Sequence, residues 1–415
     1  MDKKSSSKEK SSSKEKTAPK KTIKISFETP DFINYDKPKF DVMDNLPNIS
    51  NSEQESNPFS TFLGSWNGKR EEILEACVDF DESHPGNWVT SFARCTAYLT
   101  LENHKLMKKH LDTLEHRFPK NIFLELLPLL IFLKGKYFEL IEDYNEAIRC
   151  YEKALSIDEN NVGALDAKGW SLHNLKKYQE AIECYDRVIS IDENNVHVWN
   201  NKGLALDRLG EYKKAIKDFE RALSIDENNV NVWINKGIAY QNLDDHVKAL
   251  ECFEEALKIN GDNIESLNYK SVELSELGRY EESEKVIMKI ISIDKFNRAA
   301  WNNLCACHFT LGDITKAFEC SLIAIMIDHD SYTAWFVKAT TLLGLERYDE
   351  AMVCTNRLIT LDKNNVQTWM TRGVASGHLK KYDEAIKCYD KAISIDENNT
   401  IAWNNKGLAL YDLGK

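Results

Sequence analysis

No apolar stretch of this 415-residue chain reaches the roughly 20 residues needed to span a bilayer. The longest candidate, Ile122 to Leu133, is broken by Glu125 and Pro128 and reads as a buried helix. The lysine- and serine-rich N-terminus has no hydrophobic segment behind it, so no secretory leader is visible. A cytoplasmic chain with no membrane partner is expected. Also missing are a phosphate-cradling Gly-rich loop, a His-Glu-x-x-His and a Cys-x-x-Cys. The closest cysteines, Cys305 and Cys307, sit two apart on a predicted helix and diverge. His104, His110 and His116 recur every six residues, a spacing that also scatters them around a helix. Carboxylates abound, but without a pocket none is promoted to acid–base work. The expectation is a non-enzyme with no catalytic residue, no cofactor and no metal site.

What is present is charge and apolar character in the proportions of an amphipathic helical protein, 29% and 42% of residues. Net charge is −12, yet residues 1–24 carry nine lysines against Asp2, Glu9 and Glu15, leaving the remainder near −18. So acidic a body argues against a nucleic-acid partner, because that affinity rests largely on neutralising phosphates. The ten cysteines do not read as a disulfide set. Cys150, Cys184, Cys252, Cys320, Cys354 and Cys388 occupy one slot of a repeating pattern, so the repeat spaces them apart. Buried thiols in a reducing compartment are expected.

Residues 1–24 contain Ser-Ser-Ser-Lys-Glu-Lys twice in tandem, and no aromatic precedes Phe27. Pro30, Pro38, Pro47 and Pro58 follow among Asp, Asn and Ser, which predicts disorder over residues 1–60. Short apolar segments such as Phe27 to Phe32 are available there for docking on a partner or back onto the rest of the chain. Residues 61–127 read as a divergent helical cap, marked by Ile73, Leu74 and Cys77, then Trp88, Phe92, Cys95 and Tyr98. A third segment around Leu106, His110, Leu111 and Leu114 is stopped by Pro119. From there a 34-residue lattice takes over: Trp199, Trp233, Trp301, Trp335, Trp369 and Trp403 lie on it, with Leu267 at the remaining node. A period of that length means one supersecondary unit copied and stacked, each copy too small to bury its own apolar face. Eight full units start at 128, 162, 196, 230, 264, 298, 332 and 366, and a half unit runs from 400 to 415. Each reads as two antiparallel helices. In the unit at 196, Trp199, Gly203 and Leu206 mark one face of the first, and Ala215, Phe219 and Ala222 one face of the second. The junction Ile-Asp-Glu-Asn-Asn at 191–195, 225–229 and 395–399 offers Asn as N-cap of the next helix.

This arrangement resembles the tetratricopeptide repeat (TPR), whose 34-residue helix-turn-helix has a large residue at position 4, small ones at 8, 20 and 27, and aromatics at 11, 17 and 24. The resemblance covers residues 128–415. Position 8 carries Gly135, Gly169, Gly203, Gly237, Ser271, Cys305, Ala339, Gly373 and Gly407; position 20 carries Ala at every unit but one, where it is Ser283. Close crossing of the two helices demands that smallness. The family's proline at position 32 is replaced throughout, for instance by Glu193 and Glu227, so termination must rely on Asp and Asn. The resemblance implies an all-α, right-handed superhelical solenoid whose first helices line a concave surface.

On that surface positions 5 and 6 carry Asn200, Asn201, Asn235, Asn268, Asn302, Asn303, Asn404 and Asn405. An amide both donates and accepts, so such a column suits the backbone of an extended peptide of any sequence. Phe336, Val337 and Val374 suggest an adjoining apolar groove. Position 7 repeats a cation, among them Lys168, Lys202, Lys236, Lys270, Lys338, Arg372 and Lys406, read as stems that pack and heads that pair with junction acids. The Lys-plus-Asn clamp some family members use on a chaperone's carboxylate is not matched. The resulting expectation is a scaffold holding an extended peptide segment of another protein. Two alternatives stand beside it: a targeting module of a larger or separately encoded enzyme such as a protein O-glycosyltransferase, and an RNA-binding helical repeat. The half unit, with Trp403, Leu408 and Tyr411 lacking a covering helix, suggests self-association.

Overall fold

Three apolar or small residues, about one per helix turn, recur on one side of each predicted segment, and that pattern builds hairpins. The computed structural model describes residues 91, 94, 95, 103–117 and 123–414. Among these there are helices and no strand. The expectations for residues 1–60 and for the first cap segment lie outside the described residues, as does most of the second, whose Cys95 is helical and buried. The third cap segment is α1 (His104–Arg117), with Met107, Leu111 and Leu114 buried.

The chain divides between Leu277 and Gly278 into two compact units. In the first, α2 (Phe123–Leu140), α4 (Val162–Asn174), α6 (Val196–Arg208), α8 (Val230–Gln241) and α10 (Ile264–Glu276) are first helices. They alternate with the second helices α3 (Tyr144–Ile157), α5 (Tyr178–Ile191), α7 (Tyr212–Ile225) and α9 (His246–Ile259). In the other unit, α11 (Tyr280–Ile293), α13 (Ile314–Ile327), α15 (Tyr348–Leu361) and α17 (Tyr382–Ile395) are second helices. Its first helices are α12 (Arg298–Leu311), α14 (Tyr332–Gly344), α16 (Val366–His378) and α18 (Thr400–Asp412). The first array helix begins at Phe123, ahead of the expected boundary at Pro128, and runs through that proline. Inside each unit the helices pack as consecutive hairpins, and neighbouring first helices also touch at α2–α4, α4–α6, α6–α8, α12–α14, α14–α16 and α16–α18.

Local chemistry sets the joints. Asn161, Asn195, Asn229, Asn263, Asn297 and Asn399 each accept a hydrogen bond from the backbone N–H three residues on, capping a first helix. Within the hairpin, position 15 is left-handed in every copy: Gly210 at φ 77°, but also Lys176 at 61°, Glu346 at 58° and Lys380 at 58°. Close packing explains position 8. A Cβ built on Gly203 would lie 2.5 Å from Phe219 Cε1, and one on Gly169 would lie 2.6 Å from Tyr185 Cε1. The position-24 ring thus lies flat on the glycine, and Tyr185 and Phe219 are fully buried in one continuous apolar cluster.

The lattice tryptophans stitch repeat to repeat. Trp199 Nε1 donates to the carbonyl of Glu193 at 2.9 Å, and Trp233, Trp301, Trp335 and Trp369 make the same bond to residue i−6. That carbonyl belongs to position 32, where the family's proline is missing. The indole holds the junction that proline would otherwise stiffen. Lys202, Lys236, Lys338 and Lys406 lie 5.2–5.3 Å over the rings of Trp199, Trp233, Trp335 and Trp403, capping the stitch with a cation–π contact.

Candidate functional site

The first helices of each unit stand side by side, so their faces divide into residues turned toward the neighbouring first helix and residues turned out. Positions 5 and 6 fall in the first group. Asn200, Asn201, Asn235, Asn268, Asn302 and Asn303 are 0–4% exposed, so these six amides are not on an open surface. Asn404 is exposed and Asn405 half-buried. The reason is spacing: first helices in direct contact leave no gap for a peptide between positions 5 and 6, and the amides there turn into the contact with neighbouring side chains. Asn235 Nδ2 donates to Asn200 Oδ1 at 2.9 Å, and Ser331 Oγ donates to Asn302 Oδ1 at 2.8 Å. The expected apolar groove is corrected in the same way. Phe336 and Val337 are core residues, Phe336 stacking on Tyr332 at 6.1 Å, while Val374 is half-buried.

The accessible strip lies at positions 2, 12 and 13. Arg208, Asn242 and Glu276 are exposed at position 13, and His197, Asn231 and Glu265 are half-buried at position 2. Asp207 and Gln241 hold position 12, and Asn242 Nδ2 donates to Asp207 Oδ1 at 3.0 Å, bridging α6 and α8. Helical geometry placed positions 2 and 13 on the concave face, but no residue at 12 or 13 stood out in the sequence because their letters do not repeat; a 34-residue lattice registers what is buried and constant.

Buried carboxylates accompany the strip. Asp166 on α4 is pushed up to about 6, chiefly by burial, against the opposing charge of Lys136. Glu265 is pushed up to about 7 by burial alone, and burial raises Asp207 against its bond from Asn242. Glu139 on α2 accepts from Tyr151 Oη at 2.7 Å, Ser171 Oγ at 3.2 Å and Lys136 Nζ at 2.8 Å. Glu273 has a fully buried side chain on α10 and meets His246 Nδ1 of α9 at 2.8 Å; burial raises its carboxyl, and His246 opposes that. Both members of this pair break their columns. Flanking repeats have Tyr212 and Tyr280 where His246 stands, and Ala239 and Cys307 where Glu273 stands.

The position-7 lysines are engaged. Lys168, Lys202, Lys236, Lys270 and Lys406 reach Glu152, Asp186, Glu220, Glu254 and Asp390 of the preceding repeat at 2.6–3.1 Å. All nine described cysteines are buried, and none forms a disulfide. Among the described residues no group of three or more His, Cys, Asp or Glu could hold a metal ion, and no helix is long and apolar enough to cross a membrane.

A search of curated proteins finds no match. Among solved structures, the chain is similar to a tetratricopeptide repeat protein from Parabacteroides merdae, at 18% identity over 68% of this chain and 98% of that one, with a TM-score of 0.43. The Pseudomonas aeruginosa pilF structure is 16% identical over 54% and 99%, TM-score 0.46. The Cut9–Hcn1 structure is 15% identical over 85% and 69%, TM-score 0.49. Family profiles described as tetratricopeptide repeat match residues 130–161, 196–229, 230–263, 264–297 and 332–365, and a profile described as TPR repeat matches 169–210 and 378–414. The chain therefore belongs to the tetratricopeptide repeat family.

Proposed function

We propose that the chain is a protein-interaction scaffold that holds an extended segment of its partner along the row of first helices. One observation carries this reading: neighbouring first helices touch from α2 through α8 and from α12 through α18, and the outward positions of the first helices form a strip of polar groups that differ from repeat to repeat. In the unit ending at Leu277 the strip runs through Asp207, Arg208, Asn231, Gln241, Asn242, Glu265 and Glu276. Such groups pair with a peptide's backbone and side chains, and their variation supplies sequence preference. The asparagine column serves beneath this strip as a spine that fixes neighbouring first helices in register. Its influence on capture is indirect. The RNA-binding alternative gains nothing from the position-7 lysines, because five of them face carboxylates.

The test is affinity selection of random linear peptides on the full chain, followed by titration of the selected peptides against Arg208→Ala/Asn242→Ala/Glu276→Ala. These side chains are exposed, so helicity stays unchanged and melting falls only by the loss of the Asn242–Asp207 bond, about 1 kcal/mol, while affinity falls at least tenfold. Equal affinity in the triple variant would remove the reading. Parallel titration of Asn201→Ala/Asn235→Ala/Asn303→Ala lowers melting temperature before it lowers affinity.

A further inference from the structure

Acidity on the first helices is confined to one unit. Outside position 7, the first helices α4, α6, α8 and α10 hold five carboxylates, Asp166, Asp207, Glu265, Glu273 and Glu276, with Arg208 as the one fixed cation. The first helices α12, α14 and α16 of the other unit hold none. A chain that was merely acidic throughout would not produce that contrast between helices of the same register. Packing accounts for part of the excess: Glu273 meets His246, and Asp207 accepts from Asn242. Asp166 has no such account. Position 5 is Asn at 200, 268, 302 and 404, and Asp only at 166. Asp166 is 9% exposed, and its Oδ1 is buried with no hydrogen-bond partner among the described residues. Burial works against its charge; Lys136 of α2 favours that charge but is held at 2.8 Å by Glu139, which opposes it. His197 and Asn201 of α6 favour it as well. An asparagine would fill the same space without desolvating a charge.

The surroundings of Asp166 belong to the peptide strip. Helix α4 touches both α2 and α6, and the charged groups that act on Asp166 are Lys136 and Glu139 on the first of these and His197 on the second. His197 is half-buried at strip position 2. Asp166 thus lies at the floor of the strip, with half-buried Asp207 on α6 and half-buried Glu265 on α10 nearer its surface. A carboxylate kept at the floor of a binding face, against its own burial, is matched by a cation brought from outside. Lysine and arginine have stems long enough to carry their charge to such a floor while their backbone stays above it.

We propose that the unit ending at Leu277 selects a basic segment of its partner protein, seating a lysine or arginine side chain against Asp166 and drawing further cations with Asp207 and Glu265. The preference rests on the first-helix strip being the peptide surface. Affinity selection of random linear peptides on the full chain tests it. Selected peptides carry Lys and Arg in excess over the library, and exchanging these for norleucine and citrulline weakens binding by about tenfold. Asp166→Asn weakens the basic peptides while its melting temperature at pH 7 is no lower than the parent's, a combination that a purely structural carboxylate does not give. Asp166→Asn/Asp207→Asn/Glu265→Gln loses about tenfold or more for the basic peptides and binds their norleucine and citrulline forms as the parent does. Selected peptides without a Lys or Arg excess that still lose affinity in Arg208→Ala/Asn242→Ala/Glu276→Ala overturn the basic preference and leave the strip standing. An equal loss in Glu183→Gln/Glu227→Gln/Glu251→Gln, three exposed carboxylates outside the first helices, also overturns it, because net charge alone would then be the attraction. Failure to select any peptide removes the strip and its preference together.

Discussion

Gly203 and Gly407 share a register position and differ in what surrounds them. A Cβ at 203 would collide with the Phe219 ring, whereas nothing lies within 4 Å of one at 407. Gly203→Ala therefore displaces a fully buried ring and costs about 1–3 kcal/mol, while Gly407→Ala gains up to about 1 kcal/mol from helix propensity. Urea unfolding of the two variants compares them; equal losses would show that the ring does not hold the position small. Position 15 invites the opposite exchange. Lys176, Glu346 and Lys380 occupy the left-handed region that glycine adopts freely, so each change to Gly stabilises by about 0.5–1 kcal/mol. Asp166 gives a pH signature. Its carboxyl is raised from 3.8 to about 6, so the folded chain binds that proton more tightly than the unfolded chain. The protonated side chain's contribution to stability is full below about pH 4 and is lost as pH rises through about 6. Asp166→Asn, which restores the column's own residue, is accordingly more stable than the parent by about 2–3 kcal/mol at pH 7, and the difference fades toward pH 4. A difference that stays constant with pH would refute the assignment.

Between elements, the His246–Glu273 pair shows how two departures compensate. His246→Tyr restores the column residue on α9 but strands a buried carboxylate on α10, a loss of about 3–5 kcal/mol. Glu273→Ala removes that carboxylate and leaves a histidine with a 29% exposed side chain, a change of under about 1 kcal/mol. The double variant recovers most of the stability, so a double-mutant cycle returns a coupling of several kcal/mol; strict additivity would show the two side chains act independently. This pair also marks the limit of what was legible in the chain. Trp199 and Gly203 announced hairpins because burial and close approach force the same side chain at every copy. The same logic misled at Asn201 and Asn235. Constancy at a first-helix position was taken for a reading surface, whereas it registers contact with the next helix, and the distance between neighbouring first helices is a tertiary quantity that no periodicity reports. Arg208, Asn242 and Glu276 carry no lattice signal because exposed positions are free of the packing that forces one side chain on every copy.

At the scale of the whole molecule, contact range decides behaviour. Within each unit the substantial contacts join successive helices and adjacent first helices, so stability accumulates repeat by repeat with no single core to cooperate around. A lesion should then stay local. Phe219→Ala deletes a fully buried ring that fills the space over Gly203, a loss of about 3–5 kcal/mol. In a globular domain of one core that loss would appear in every slowly exchanging amide. Here it lowers protection in α6, α7 and α8 by about a hundredfold or more and leaves α14 to α17 unchanged. Calorimetry of the parent follows the same physics: independent opening of repeats makes the calorimetric enthalpy exceed the van't Hoff value. Uniform loss of protection across α6–α8 and α14–α17 in Phe219→Ala would mean that the array unfolds as one cooperative body, and that coupling reaches well past adjacent repeats.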